Sequence, residues 1–282
     1  MNCGDPMSQD SLEPKAEHID AIVQHIARYR LTIFAAIERL PVFSALGPRQ
    51  IKNMLQHCRR QSLIGCAPLH HAAKYWFLDA GGAERCGLEP NRSGPLSELA
   101  KLRALAILRY CILAERPRHR LTADDLARSF PTVFRQGLPE GYYFDPQDSG
   151  RLGLARVDAG RRGRWDRIVQ SLREDIDDHL HQVGFRKLIQ AGRFEITLLT
   201  VLRQKARRII EALSQYRDTA RVPLHVVAMP ELLPLVSPRL LKGGISPSRR
   251  KTPFSRVSSL PVQEHGKTTG NGPLQTVGDL DI

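Results

Sequence analysis

Apolar residues recur at helical spacing in the first part of the chain, after a polar start. The first stripe, in which almost every step is three or four positions, consists of Ile19, Ile22, Val23, Ile26 and Tyr29. This spacing predicts an amphipathic helix. A second helical segment begins at Thr32 and ends before Pro41, because a proline restricts the residue that precedes it. A third begins after Gly47-Pro48, where proline suits the first helical turn.

The pattern changes from helical to strand-like after the third helix. Tyr75-Trp76-Phe77-Leu78 has the composition of a strand, and Asp79-Ala80-Gly81-Gly82 has that of a turn. Three short helices followed by a β-hairpin is the element order of a winged helix. We therefore predict a winged helix-turn-helix domain over residues 17–90, preceded by a disordered segment, residues 1–16.

A helical connector, residues 91–137, is predicted after a break at EPNRSGPLS. Its first helix, LSELAKLRALAILRYCILAE, is apolar over much of its surface, which indicates burial between domains or in a dimer interface. Thr122 is expected to cap a second, shorter helix, because its hydroxyl can accept a hydrogen bond from the helix N-terminus.

Strand and helix patterns alternate over residues 138–237. The predicted strands are LPEGYYFDP, GRLGLARVD, FEITLLTVL and LHVVAMPEL. The first two are expected to be neighbours around the turn PQDSG, and helices between the later ones predict a partly parallel sheet. Residues 238–282 are rich in Gly, Pro, Ser and basic residues and are predicted to form a disordered tail. Its Arg249, Arg250 and Lys251 are either a non-specific electrostatic arm or a solubilising group.

The composition favours a negatively charged partner. Lys and Arg total 42 against 29 Asp and Glu, which gives a formal net charge of +13. Such a charge suits phosphate contacts, although it does not distinguish DNA from RNA or an acidic lipid surface. Five cysteines without a short-spaced pair, no apolar leader at the start and no run of about 20 apolar residues favour the cytoplasm and no membrane partner.

The third helix is the strongest candidate for contact with DNA, because basic and amide side chains alternate there with apolar ones. The residues predicted to bind nucleic acid on this helix are Arg49, Lys52, Asn53, Gln56, Arg59 and Arg60. Lys74 and Arg85 are expected to reach the adjacent phosphates from the wing.

Several segments resemble one family. They are YWFLDAGGAERCGL, LPEGYYFD, LARVDAG, FEITLLTVLRQKARRIIEAL and PLHVVAMPELL. Together, over roughly Glu17 to Val236, the chain resembles the replication-relaxation family, whose members are encoded on plasmids and integrative elements. The resemblance implies an α+β chain: an N-terminal winged helix followed by a restriction-endonuclease-like α/β domain, similar to the PD-(D/E)-x-K nuclease core.

The resemblance also implies where a nuclease site would lie. The family's Pro-Asp falls on Pro139-Glu140, and its Glu-x-Asp-x-Gly falls on Arg156 to Gly160, so that Arg156 replaces the first carboxylate. Arg167 stands where a lysine is expected. Metal-dependent hydrolysis needs converging carboxylates. Because alternate strand residues share a face, we expect Arg156 to form an ion pair with Asp158 and to make the domain degenerate.

These observations predict a non-catalytic DNA-binding protein, and the resemblance implies that it belongs to a bacterial mobile genetic element and acts in DNA transfer, replication or regulation. Its expected partners are double-stranded DNA, a second copy in a homodimer and, as the resemblance implies, a relaxase or another element-encoded protein; no cofactor is expected. One alternative is an Mg²⁺-dependent nuclease that uses Glu140, Asp145 and Asp158. The same features would also suit a transcription regulator, or a structural subunit that binds RNA or a protein.

Three further groups of polar residues allow more than one interpretation. Cys58, Cys66, His70, His71 and Cys86 have no C-x₂-C spacing, so we predict no zinc site. The acids and histidines of REDIDDHLHQ, which are Asp175, Asp177, Asp178, His179 and His181, favour a solvated helix face. Lys205, Arg207 and Arg208 are either an exposed helix face or phosphate contacts.

Overall fold

The computed structural model describes residues 15–70, 72–148, 150–158, 165–215 and 222–236. All of them belong to one compact unit, Met1–Gly244. The predicted disordered segments lie outside the described residues, apart from Lys15 and Ala16, and so do His71, Gly160 and the tail cations Arg249, Arg250 and Lys251. The structure is mixed α+β, with helices and two sheets.

The first half contains the three predicted helices and a hairpin. Its elements are α1 (Ala16–Tyr29), α2 (Phe34–Ile37), α3 (Pro48–Arg60), β1 (Ile64–His70), β2 (Ala73–Leu78) and α4 (Ala80–Arg85). β1 and β2 pair antiparallel, and Thr32, between α1 and α2, adds an isolated antiparallel bridge to Trp76. The apolar stripe of α1, apart from Tyr29, packs with the buried side of α3 in one core cluster.

The predicted turn at Asp79–Gly82 is wrong. The carboxylate of Asp79 accepts a hydrogen bond from the backbone N–H of Ala80 at 3.0 Å and caps α4. Gly82 lies in this helix, and the close approach of α4 to Leu63 requires glycine there, because a β-carbon would overlap the carbonyl oxygen of Leu63. The hairpin connection instead lies earlier, between His70 and Ala73.

The second half carries the larger sheet. Its elements are α5 (Glu98–Leu108), β3 (His119–Arg120), α6 (Ala123–Ser129), β4 (Tyr142–Asp145), β5 (Arg151–Asp158), α7 (Trp165–His181), α8 (Val183–Gln190), β6 (Phe194–Thr200), α9 (Arg203–Ser214) and β7 (Leu224–Ala228). A π-helical turn, Arg109–Leu113, extends α5, and a 3₁₀ segment, Pro230–Leu235, follows β7. Thr122 caps α6 as predicted, since its hydroxyl accepts a hydrogen bond from the N–H of Asp125.

The five strands of this sheet lie in chain order, β3-β4-β5-β6-β7. β3, β4 and β5 pair antiparallel, and β5, β6 and β7 pair parallel. The predictions of neighbouring strands β4 and β5 and of a partly parallel sheet are confirmed. β3 was not predicted, because two residues are too short to show a strand pattern.

Alternate residues of β6 face different helices. Phe194, Ile196 and Leu198 pack in one core cluster with α7, α8 and α9, whereas Leu199 packs in another with α5. The apolar helix α5 also packs against α1 and β5. Its unusual hydrophobicity is therefore explained by burial within the chain. Among the described residues, no helix is both long and apolar enough to cross a membrane.

Candidate functional site

α3 presents one polar face to solvent. All six of its predicted nucleic-acid-binding residues are exposed: Arg49, Lys52, Asn53, Gln56, Arg59 and Arg60. At about 100° per residue they fall within an arc of about 120°. The opposite side of the helix is buried and consists of Ile51, Met54, Leu55 and Cys58. α3 contains no acidic residue, so this polar face carries only positive and neutral side chains.

The hairpin contributes one of the two predicted wing residues. Lys74 is exposed on β2, opposite Pro68 in β1. The predicted placement of Arg85 in the wing is wrong, because it is the last residue of α4. Its Nε donates to Oδ1 of Asp20 on α1 at 2.8 Å, so this guanidinium fastens two helices together.

A cavity of about 790 Å³ opens where the parallel strands β5 and β6 end. Ligands of open α/β sheets commonly bind at the carboxyl ends of parallel strands. Arg156 and Asp158 line this cavity and face the helices α7 and α9 that cover one side of the sheet. Their predicted orientation to a common face is confirmed.

The predicted ion pair between Arg156 and Asp158 is wrong. Arg156 instead forms two hydrogen bonds with the carboxylate of Asp175 on α7, the first from Nε to Oδ2 at 2.6 Å and the second from its terminal nitrogen to Oδ1. A bidentate arrangement of this kind fits the planar guanidinium. Asp175 is buried, so the prediction that it belongs to a solvated helix face is wrong as well.

Asp158 has its own cation. The ammonium group of Lys205 in the first turn of α9 donates to Oδ1 at 3.0 Å, and the Thr200 hydroxyl donates to Oδ2 at the same distance. Lys205 is buried, which contradicts its placement on an exposed helix face, whereas its neighbours Arg207 and Arg208 are exposed.

The three carboxylates of the predicted nuclease site do not converge. Asp145 pairs with Arg151 at the start of β5, whereas Asp158 ends that strand, roughly 23 Å away along the strand. Asp145 is buried and held by Arg116, at 3.0 Å, and by Arg118. The site as predicted is therefore wrong, because the antiparallel register carries Asp145 to the opposite end of the sheet.

Glu140 does reach the cavity. It precedes β4 and is exposed, and its carboxylate lies 3.3 Å from nitrogens of both Arg92 and Arg120. Arg167, at the position where the family resemblance expects lysine, also lines the cavity, from α7. Every carboxylate that lines the cavity thus has at least one cationic partner: Glu140, Asp158 and Asp175.

The described residues contain no group of three or more histidines, cysteines or acids arranged to hold a metal ion. Of the polar residues on α7, Asp177, Asp178 and His181 are exposed, as predicted. His179 is buried: the hydroxyl of Tyr142 lies 2.7 Å from its Nε2, and its Nδ1 contacts the carbonyl oxygen of Asp175. Burial lowers the pKa of His179, so this imidazole is a neutral part of the core.

Sequence reasoning missed a buried polar network on the α5 side of the sheet. The hydroxyl of Tyr143 donates to Glu195 and lies 2.9 Å from the Thr197 hydroxyl. Arg151 donates to the other carboxylate oxygen of Glu195 at 3.0 Å, and His225 lies 3.4 Å from it. The one signal in the sequence was the glutamate inside the otherwise apolar strand FEITLLT.

Burial would raise the pKa of Glu195, but the hydrogen bonds from His225, Tyr143 and Arg151 outweigh it and lower this pKa to about 2. Glu195 is therefore an anion that its neighbours stabilise, and the network links β6 to β4, β5 and β7.

Comparison of the chain with models of known protein families gives no match. Comparison with curated proteins gives none either.

Proposed function

We propose that the chain is a DNA-binding protein in which α3 lies in the major groove. The observation that carries this proposal is the exposed polar face of α3, with four cations, two amides and no acid on one side of the helix. Arginine and lysine contact phosphates and guanine, and asparagine and glutamine pair with adenine, so this face has the groups that duplex recognition requires.

The order of elements around α3 supports a winged helix. α1, the Thr32 bridge strand, α2, α3 and the β1–β2 hairpin follow one another as in that motif. In winged helices the third helix enters the groove while the hairpin lies near the backbone. We assign Asn53 and Gln56 to base edges, and Lys74 to a phosphate.

The second half is proposed to be a non-catalytic scaffold. The pairing of Asp158 with Lys205 and of Asp175 with Arg156 supports this assignment, because a cation beside each carboxylate opposes the binding of Mg²⁺. The mixed sheet is compatible with the restriction-endonuclease-like half that the family resemblance implies. A role on a cytoplasmic mobile element, with a relaxase or replication partner, rests on that resemblance.

The test is a fluorescence-anisotropy titration of a labelled duplex with unphosphorylated blunt ends, repeated over a series of salt concentrations. The variants are Arg59→Ala/Arg60→Ala and, as a matched control, Arg207→Ala/Arg208→Ala, which removes another exposed arginine pair, from α9. We expect the α3 variant to weaken binding. We also expect the plot of log K against log salt to become shallower by about 2, since each phosphate contact contributes about −0.9 to its slope. The control should keep both values.

Equal losses in the two variants would contradict a specific role for α3. The DNA is run on a gel after incubation with Mg²⁺, where intact duplex is expected and cleaved duplex would contradict the non-catalytic assignment. Stronger competition by duplex RNA than by duplex DNA would favour an RNA-binding subunit instead.

A further inference from the structure

The cavity at the ends of β5 and β6 carries an excess of positive charge. The cationic side chains that line it are Arg30, Arg103, Arg120, Arg156, Arg167 and Lys205, and the acidic ones are Glu140, Asp158 and Asp175. Three of these six cations are held by the three carboxylates: Arg120 by Glu140, Arg156 by Asp175 and Lys205 by Asp158.

The other three cations are Arg30, Arg103 and Arg167, and they form no ion pair with any described carboxylate. They come from three separate elements: the end of α1, α5 and α7. Such an arrangement concentrates positive potential over one concave surface, which raises the local concentration of an anion.

Arg30 is held in an unusual conformation for a non-glycine residue. It ends α1 with a φ of 68°, in the left-handed region that glycine and asparagine usually occupy. Its Nε is buried and has no hydrogen-bond partner among the described residues. Burial and the neighbouring Arg92 lower its pKa. Arg30 thus combines a left-handed backbone and an unsatisfied donor in a residue that lines the cavity, and such exceptions concentrate at functional sites.

The lining of the cavity is partly apolar, including the helix that carries Arg103. α5 contributes Leu99, Ala100, Ala104 and Ile107 to it. Small-molecule sites combine an apolar lining with a few convergent polar groups in about 300 to 1,000 Å³, and this cavity lies in that range. A ligand that joins a phosphate to a flat, weakly polar group satisfies both parts of the wall.

We propose that this cavity binds a phosphate-bearing nucleotide, either free or at the 5′ end of a single strand, with Arg30, Arg103 and Arg167 facing the phosphate. This site is distinct from the α3 surface and does not depend on duplex binding there. Guanidinium groups suit this task because they donate paired hydrogen bonds to phosphate oxygens.

The test uses the full chain and a 3′-labelled thymidine tetranucleotide in two forms, one with a 5′-phosphate and one with a 5′-hydroxyl. The variants are Arg30→Gly and Arg103→Ala/Arg167→Ala. Glycine adopts a φ of 68° without strain, so Arg30→Gly removes the guanidinium and keeps the backbone. The controls are Arg186→Ala, an exposed arginine on α8 that does not line the cavity, and Arg59→Ala/Arg60→Ala on α3. Thermal melting checks that each variant is folded.

We expect the phosphorylated strand to bind at least tenfold more tightly than its hydroxyl twin, and each cavity variant to remove roughly tenfold or more of that affinity. Arg186→Ala should retain this affinity, and Arg59→Ala/Arg60→Ala should retain the preference for the phosphorylated strand over its hydroxyl twin. Competition then distinguishes a free nucleotide from a strand end as the ligand. If thymidine monophosphate displaces the labelled strand as well as the unlabelled phosphorylated strand does, the ligand is a free nucleotide. If only the unlabelled strand displaces it, the ligand is a strand end.

Equal affinity for the phosphorylated and hydroxyl strands would overturn the proposal, and so would cavity variants that bind like the wild type. Loss of the preference in the α3 control would also overturn it, because the phosphate would then be bound on α3. The blunt duplex has no 5′-phosphate, so its binding tests the proposed role of α3. The comparison of the two tetranucleotides tests the cavity, and either proposal can therefore fail without the other.

Discussion

The ammonium group of Lys205 lies 2.8 Å from Oδ2 of Asp158, and these side chains are only 7% and 8% exposed, respectively. The pair joins the end of β5 to the first turn of α9. Two buried charges of opposite sign stabilise each other only while both are present. Asp158 is thus paired with Lys205 at the carboxyl end of β5, whereas we expected its partner to be Arg156, and the nuclease alternative placed it in a metal site.

Lys205→Met should destabilise the chain, because it removes the Lys205 ammonium from the buried carboxylate of Asp158. We expect a loss of about 3 kcal/mol or more in the free energy of unfolding, measured by urea denaturation. Lys187→Met, at an exposed position on α8, is the control and should change little. Adding Asp158→Asn to Lys205→Met should restore part of the loss, and a double variant less stable than the single one would contradict this account.

Asn53→Ala and Gln56→Ala should alter which sequences the protein prefers. Each removes an amide assigned to a base edge and leaves every cation of α3 in place, so the salt dependence should be unchanged. We expect about 1 to 3 kcal/mol less discrimination at one base pair, measured by competition among duplexes selected with the wild type. A changed salt slope with unchanged sequence preference would contradict the assignment.

Glu195 should make stability depend on acidity. Because its folded pKa of about 2 lies below the ordinary value of 4.5, it stabilises the fold above pH 4.5, and this contribution disappears as the pH falls from 4.5 towards 2. The corresponding loss is about 3 kcal/mol. Urea denaturation at a series of pH values should show a shallower acid dependence for Glu195→Gln than for the wild type.

The pKa of His225 tests the same network, because it is raised whereas that of Glu195 is lowered. The hydrogen bond to Glu195 raises its pKa above 6.5, so its contribution is complete below pH 6.5 and is lost as the pH rises through the raised value. An NMR titration of the imidazole should show this raised pKa in the wild type, and the pKa should return towards 6.5 in Glu195→Gln. An unchanged pKa in that variant would mean that Glu195 is not its cause.

Gly153→Ala should destabilise the sheet, because the new β-carbon would overlap the ring of Tyr143. We expect a loss of about 2 kcal/mol or more in the free energy of unfolding, since overpacking of a rigid core forces its neighbours to move. Tyr143→Leu would remove the ring, so the effect of Gly153→Ala should be smaller in that background. Simple additivity of the two losses would contradict the steric explanation.

The fold was predictable where one residue pattern dominated a long segment. The apolar stripe of α1 and the largely apolar run of β6 each fitted one type of element far better than the rest. The prediction of a turn at Asp79 was wrong because the same residue types favour turns and cap helices. The close contact of Gly82 with Leu63, which accompanies the helix, is not visible in the sequence.

The partners of charged residues were less predictable than the faces on which they lie. Strand periodicity put Arg156 and Asp158 on a common face, but it carries no information about α7 and α9, which supply Asp175 and Lys205. The excess of arginine around the cavity was equally hidden, because Arg30, Arg103 and Arg167 are far apart in the chain.

The core cluster around α5 has a consequence for how the molecule unfolds. It combines Tyr29 and Tyr75 from the first half of the chain with Tyr143 and Leu199 from the sheet. A fragment that ends near residue 90 would leave the first two of these aromatic rings without their apolar cover. We therefore expect both halves to melt in a single cooperative transition, so that the helix proposed to read DNA should lose its structure together with the five-stranded sheet.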